Sequence, residues 1–372
     1  TVMSLRWPSF LVMSVVLAGC LSEENTTIST TAPPEASATV VALGEALFND
    51  TNLSSNKNQA CASCHDKSVA FSDPDKTIPV SKGSVAGLFG SRNTPSIAYA
   101  SFTPSLHQTL DDGEMLWVGG LFLDGRVNTL EEQAQKPFLN PVEMNNKDFK
   151  KVIANLRTSP TAYMFRDVFG GDSLDVGKEE LAFQQVADAI AAFERTPQFS
   201  PFNSKFDFYL QGKAKFTTQE LEGMSVFIRA DKGNCAACHT MAANSNQPSL
   251  FTDFTYDNIG VSRHPNRHFF AADFVDNALM QTKDDMGLRG KFRVASLRNI
   301  ANTAPYMHNG IFSSLREVIE FYNTRDTDPQ RWGEAEVPDT VNHDELGNLK
   351  LNDREIDALV AFLNTLSDGY QP

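Results

Sequence analysis

The residues with the clearest chemical content are two short runs, Cys61-Ala62-Ser63-Cys64-His65 and Cys235-Ala236-Ala237-Cys238-His239, set 174 positions apart. In Cys-x-x-Cys-His the two thiols are spaced to form thioethers with a c-type haem, and the adjacent imidazole to ligate its iron. A zinc site would need two further ligands at similar spacing, and a thioredoxin-like redox pair would need a βαβ setting. The sequence offers neither. The one remaining cysteine is Cys20, and pairs this close cannot staple so long a chain, so a disulfide framework is not expected. Two covalently bound haem c groups are expected instead, attached at Cys61, Cys64, Cys235 and Cys238, with His65 and His239 as the proximal iron ligands.

What the irons do depends on their other faces: a sixth protein ligand favours electron transfer, and an open face permits peroxide chemistry. After His65 the next histidine is His107, and no methionine intervenes before Met115. The first haem is therefore expected to be open. Around the second, Met286, Met307, His308 and Tyr322 are all available, and spacing does not choose among them.

Helical elements must position these groups. Val40 to Phe48 has helical spacing ahead of the first haem motif, and Thr217-x-x-Glu220 forms a capping box that opens a helix through Phe227 ahead of the second. Helix, loop and haem motif thus occur twice, as two related modules. Further helices are expected over Lys147–Leu156, Lys178–Arg195, Ser314–Asn323 and Asn352–Leu366. Alternating strand patterns are scarce, and long loops such as residues 82–96 are rich in glycine and proline. The fold class is mainly α. Hydrophobic residues at 41% and charged residues at 21% describe globular protein, and 372 residues suggest two domains. A net charge of −14 argues against nucleic-acid binding.

The N-terminus indicates a compartment. Arg6 precedes an apolar run from Phe10 to Ala18, too short to span a bilayer, and Leu17-Ala18-Gly19-Cys20 resembles a bacterial lipobox. Residues 1–20 read as a lipoprotein signal peptide with Cys20 as the lipidated residue. Residues 21–38 hold almost no large apolar side chains and read as a flexible tether. The expected location is the periplasmic side of an envelope membrane, the outer membrane, held by the lipid alone.

The stretches LGEALFNDTNLSSNKNQACASCH, RNTPSIAYA, DGRVNTLEEQAQKPFLNPVEM, CAACH and SLRNIANTAPYMHNG resemble the bacterial dihaem cytochrome c peroxidase and MauG family over nearly all of residues 40–368. The resemblance implies two cytochrome c-like haem domains, residues 39–205 (peroxidatic) and 206–372, with the haems facing a shared interface. It implies that Gln133, Pro137 and Glu143 line the distal pocket of the first haem. Glu143 would act as acid and base, since peroxide must lose one proton and have its outer oxygen protonated for O–O cleavage; Gln133 would hydrogen-bond the oxygens. Counting on from Pro305-Tyr306-Met307-His308-Asn309-Gly310 places Tyr322 at the position of the second haem's distal ligand, where MauG also has tyrosine. A phenolate stabilises oxidised iron, which favours an enzyme holding oxidising equivalents as high-valent iron. Asn93, Thr303 and Pro305 match the family's calcium positions between the haems.

The pattern is also broken. Leu123, before Asp124-Gly125-Arg126, stands where relatives carry a haem-bridging tryptophan; Trp117 lies nearby as a substitute or a core residue. Gly233 and Asn234 lack the surface tryptophan through which MauG reaches its substrate, so maturation of methylamine dehydrogenase is not carried over. FYNTRDTDPQRW followed by EVPDTVNHDELGNLKL is most similar to MbnH-type dihaem enzymes, which implies peroxide-dependent oxidation of a tryptophan to kynurenine on a periplasmic copper-binding partner. From Arg325 to Gly347 seven acidic residues face two basic ones beside Trp332, a loop able to dock a partner and give Trp332 a surface role. The other enzymatic reading is a peroxidase that reduces hydrogen peroxide to water with electrons from a small cytochrome c or cupredoxin; a dihaem electron carrier is disfavoured by the open first haem and Glu143.

Overall fold

Two helix crossings, each closed by a glycine, organise the protein. The computed structural model describes residues 38–242 and 248–372, so Cys20, the signal segment and nearly all of the tether lie outside the described residues. The helices of six residues or more are α1 Ala38–Phe48, α2 Leu130–Leu139, α3 Phe149–Arg157, α4 Ala162–Phe169, α5 Glu179–Glu194, α6 Lys205–Leu210, α7 Thr218–Ile228, α8 Leu315–Thr324 and α9 Asp353–Asn364. Among the described residues the strands are short: β1 His107–Asp111 pairs antiparallel with β2 Glu114–Val118, and β3 Tyr256–Asp257 with β4 Phe292–Arg293. The fold is mainly α, and the capping box expected at Thr217 and Glu220 forms at the start of α7.

On α1, a Cβ built at Gly44 would lie 1.9 Å from the Ala189 carbonyl oxygen of α5 and 2.9 Å from Phe193 Cβ. On α7, a Cβ at Gly223 would lie 1.9 Å from the Ala358 carbonyl oxygen of α9 and 2.8 Å from Phe362 Cβ. The same device, glycine against Ala-x-x-x-Phe, thus recurs in both halves. Each crossing seeds a core: Leu43, Leu47, Val186, Ile190 and Phe193 are buried around the first, and Val226, Phe227, Leu359 and Phe362 around the second.

The halves are joined by buried charge. Arg298 makes a two-pronged pair with Asp207 at 2.8 and 2.9 Å and lies over the rings of Tyr99 and Phe202. Arg92 reaches both Asp124 and Asp276. Pairs this enclosed are held by mutual attraction that offsets the loss of water, and removing one partner would leave the other charge stranded.

The β1–β2 hairpin was not legible as alternating hydrophobicity. All five residues of β1 are exposed, so there is no buried face to pattern. Its local signal is the turn: Asp112 and Gly113 both take positive φ, +43° and +90°, the geometry that an Asp-Gly pair favours in two-residue hairpins.

Gly44→Ala and Gly223→Ala force a methyl group into a backbone carbonyl, and each is expected to destabilise the fold by about 3 kcal/mol or more. Denaturant titration of the holoprotein checks this; an unchanged midpoint would show that the crossings dilate freely.

Candidate functional site

Both Cys-x-x-Cys-His runs sit on a single tight helical turn. Cys61–Cys64 is one turn of α-helix, and the His65 amide donates to the Cys61 carbonyl at 2.9 Å. The His239 amide donates likewise to Cys235 at 2.8 Å. Burial pushes the Cys64, Cys235 and Cys238 thiols up to about 12, and Cys61 upward as well. Thiols so disfavoured as thiolates are poor zinc ligands and poor redox nucleophiles.

The histidines are held in one tautomer. His65 Nδ1 donates to the Phe71 carbonyl at 2.9 Å, and His239 Nδ1 to the Phe251 carbonyl at 3.0 Å. Burial keeps both imidazoles below their ordinary value, hence neutral. Nε2 is thereby left as a lone-pair donor, the form an axial iron ligand requires. The carbonyls are aimed by backbone strain: Phe71 and Phe251 have φ of +58° and +54°. Behind them, Ser96 Oγ donates to the Ala70 carbonyl and Ser296 Oγ to that of Leu250, at 2.5 and 2.6 Å. Sequence reading missed this repeated support, although Ser96-Ile97 and Ser296-Leu297 carry its trace.

A cavity of about 370 Å³ adjoins the second motif and is lined by Cys235, Cys238, His239, Tyr322, Arg293 and apolar side chains that include Phe227 and Leu363. Cysteine, imidazole and phenol on one largely apolar cavity, which Asp257, Asp276, Glu336 and Glu345 also line, form a donor set that fits a covalently held haem. Burial raises the Tyr322 hydroxyl well above its ordinary value, and it lies near enough to Cys235 and Cys238 to feel both. Of the other candidates for this face, Met286 is 62% exposed. His308 Nε2 is engaged with Glu336 at 2.9 Å, and its ring stacks on Phe292 with centroids 4.1 Å apart. Met307 lines the cavity in a left-handed backbone conformation.

On the first side, Glu143 is half-buried and close enough to Cys61 and Cys64 to act on both thiols. Burial raises its carboxyl above the ordinary range, partly opposed by Arg126. Its carbonyl accepts from Ser84 N at 2.7 Å, and the next residue, Met144, donates to the Pro137 carbonyl of α2. Gln133, half-buried, sits one turn before Pro137 on that helix. Sequence reading missed a second acid here. Glu194, the last residue of α5, is 6% exposed, and burial pushes its carboxyl up to about 8 beside Cys61.

Asn93, Thr303 and Pro305 meet around a small space shared with Asp73, Ser81 and Thr94. Asn93 Nδ2 donates to the Pro79 carbonyl at 2.8 Å, which leaves its side-chain oxygen as an acceptor. Leu123 lines the large cavity, whereas Trp117 stands on β2 with Lys283 Nζ 4.1 Å from its ring centroid and does not line it. Trp117 therefore does not occupy the place of the missing aromatic. The surface role expected for Trp332 is overturned: it is 7% exposed, packs edge-on against Phe312 and Phe321, and its indole N–H donates to Thr324 Oγ1 at 2.9 Å.

Residues 38–215 match the family model of di-haem cytochrome c peroxidases. The methylamine utilization protein MauG of Paracoccus denitrificans is 41% identical to the chain, over 90% of each protein. The cytochrome c peroxidase Ccp of Escherichia coli is 31% identical, over 89% of this chain and 59% of its own. The crystal structure of the diheme peroxidase BthA from Burkholderia thailandensis superposes with a TM-score of 0.80 at 34% identity, over 90% and 87% of the two chains. A MauG-like protein associated with microbial copper homeostasis gives a TM-score of 0.68 at 29% identity, over 93% and 96%.

Glu194 yields a pH prediction. An unfolded glutamate ionises near 4.5, whereas the buried one keeps its proton to about 8. The stability it confers is thus complete below pH 4.5 and lost as pH rises through about 8. Glu194→Gln is expected to flatten that decline and raise the melting temperature on its alkaline side; a melting profile with the parent's slope would contradict the assignment.

Proposed function

The chain belongs to the dihaem cytochrome c peroxidase and MauG family, and from that premise we propose that it uses hydrogen peroxide to oxidise a tryptophan, to kynurenine, on a periplasmic copper-binding protein. The observation that carries this reading is Tyr322, placed on the same cavity as Cys235, Cys238 and His239. Cys61, Cys64 and His65 hold one haem, and Cys235, Cys238, His239 and Tyr322 the other. Haem at these sites supplies the iron that takes up the two oxidising equivalents of peroxide.

The chain's own groups do the rest. Glu143, its carboxyl raised above the ordinary range by burial, takes the proton from the inner peroxide oxygen and returns it to the outer one as the O–O bond breaks. Gln133 orients the oxygens without competing for the proton. The hydrogen bonds to Phe71 and Phe251 raise the basicity of His65 and His239. Bound to iron, Tyr322 would ionise against the effect of burial, and with Asp253, Asp257 and Glu345 near Cys238 it would make the second site electron-rich and favour the oxidised state.

The partner is inferred from the likeness to the copper-associated MauG-like protein and from the stretch FYNTRDTDPQRW. A calcium ion held by Asn93, Thr303 and Pro305 ties the halves together, and lipid on Cys20 keeps the enzyme at the periplasmic face of the outer membrane. The likeness to the Escherichia coli peroxidase supports the second reading, reduction of peroxide to water by a small donor protein.

Peroxide added to the fully oxidised enzyme, with and without a copper-binding partner, separates the two. Gain of oxygen on a partner tryptophan by mass spectrometry is expected. Turnover only after one-electron reduction, with rapid oxidation of reduced cytochrome c, would replace the proposal by the peroxidase. Glu143→Gln is expected to slow reaction with peroxide by about 100-fold. Tyr322→Met is expected to change the absorption and magnetic spectra of the second haem only; unchanged spectra would refute that ligand.

A further inference from the structure

The other interior arginines each close on a carboxylate: Arg92 on Asp124 and Asp276, Arg298 on Asp207, Arg325 on Asp326. Arg293 does not. It lines the cavity beside Cys235, Cys238 and His239, and among the described residues no carboxylate comes within ion-pair distance of it. Its Nε donates to the Phe122 carbonyl at 3.2 Å, and the guanidinium carbon lies 5.8 Å from the centre of the Phe254 ring. Among the described residues its terminal nitrogens make no hydrogen bond or ion pair. Burial alone pulls the guanidinium below its ordinary value, with only the nearby Tyr256 phenol opposing this.

A buried guanidinium without a close anion is costly and remains charged under all ordinary conditions, and the carboxylates that also line this cavity, Asp257, Asp276, Glu336 and Glu345, form no ion pair with it. Whatever fills the cavity should therefore bring negative charge to this point. A haem fixed at Cys235 and Cys238 carries two propionate carboxylates, the planar bidentate partners that a guanidinium fork fits best.

We propose that Arg293 holds a propionate of the haem attached at Cys235 and Cys238, an inference that rests on the dihaem reading. The same residue is anchored to the first half of the chain. Its amide donates to the Leu123 carbonyl at 2.9 Å, and its Nε to Phe122. Arg293 thus ties the second haem to the segment in which Leu123 replaces an aromatic bridge, and it acts as a positioning residue between the two sites rather than a catalytic one.

The test uses the holoenzyme. Two haems per chain by pyridine haemochrome assay is the prior condition; fewer in the parent protein would remove the dihaem reading itself. With two present, Arg293→Gln is expected to lower the reduction potential of the Tyr322-side haem, because loss of a neighbouring cation disfavours the reduced state. The expected change in the reduction equilibrium is tenfold or more, 59 mV for one electron. The first haem should be unmoved, and Arg293→Lys should recover part of the shift. A Gln variant with both haems attached and an unaltered potential would overturn the proposal. Independently of either variant, a structure of the parent holoenzyme should show a propionate oxygen within about 3.2 Å of an Arg293 terminal nitrogen; its absence would also overturn it.

Discussion

The constraint on which the molecule depends is the approach of two helices to a distance that only glycine allows. At Gly44 and again at Gly223, the helix ahead of a haem motif presses its backbone onto a carbonyl of the helix that closes the same half. A methyl group at either position would collide with main chain rather than with a side chain that can swing aside. Phe193 and Phe362, one turn beyond the contacted alanines, pack into the cores these crossings seed.

From this frame the two halves build the same histidine support. In each, a phenylalanine forced into the left-handed region turns its carbonyl toward the imidazole, and a serine some 25 to 45 residues later secures the preceding carbonyl. The repetition ends at the opposite faces. Around Cys61 and Cys64 the neighbouring acids include Asp73, Glu143 and Glu194, of which Glu143 and Glu194 are held above their ordinary range by burial and so suited to carrying protons. Around Cys235 and Cys238 the neighbours include the Tyr322 phenol, the Arg293 guanidinium and the carboxylates of Asp257 and Glu345. One scaffold thus surrounds the two motifs differently, and the Arg92–Asp276 ion pair together with Arg298 over the Tyr99 ring joins the two halves.

Much of this was legible in the chain itself where the signal was local. The capping box at Thr217 and Glu220 opens α7 as its spacing requires, and helices expected over Lys147–Leu156 and Lys178–Arg195 form as α3 and α5 within two residues at each end. Where the signal depended on packing, reading failed in both directions. Trp332, in an acidic stretch, looked like a surface group and is core, because Phe312 and Phe321 from outside that stretch enclose it. The β1–β2 hairpin has no apolar alternation because neither face of β1 is covered.

The sequence by itself determined the covalent chemistry: two Cys-x-x-Cys-His turns, whose thiols and imidazole lie within one helical turn and need no distant residue to be recognised. It also carried the family likeness that marks Glu143, Gln133 and Tyr322. Only the tertiary structure decided what surrounds those turns. That Glu194 is buried beside Cys61, that His308 is bound to Glu336, that Leu123 lines the cavity and Trp117 does not, and that Arg293 lines the cavity without an ion pair all follow from long-range packing. Burial and dielectric environment are set by residues far apart in the chain, and they convert ordinary carboxyl, phenol and guanidinium groups into the components of a site.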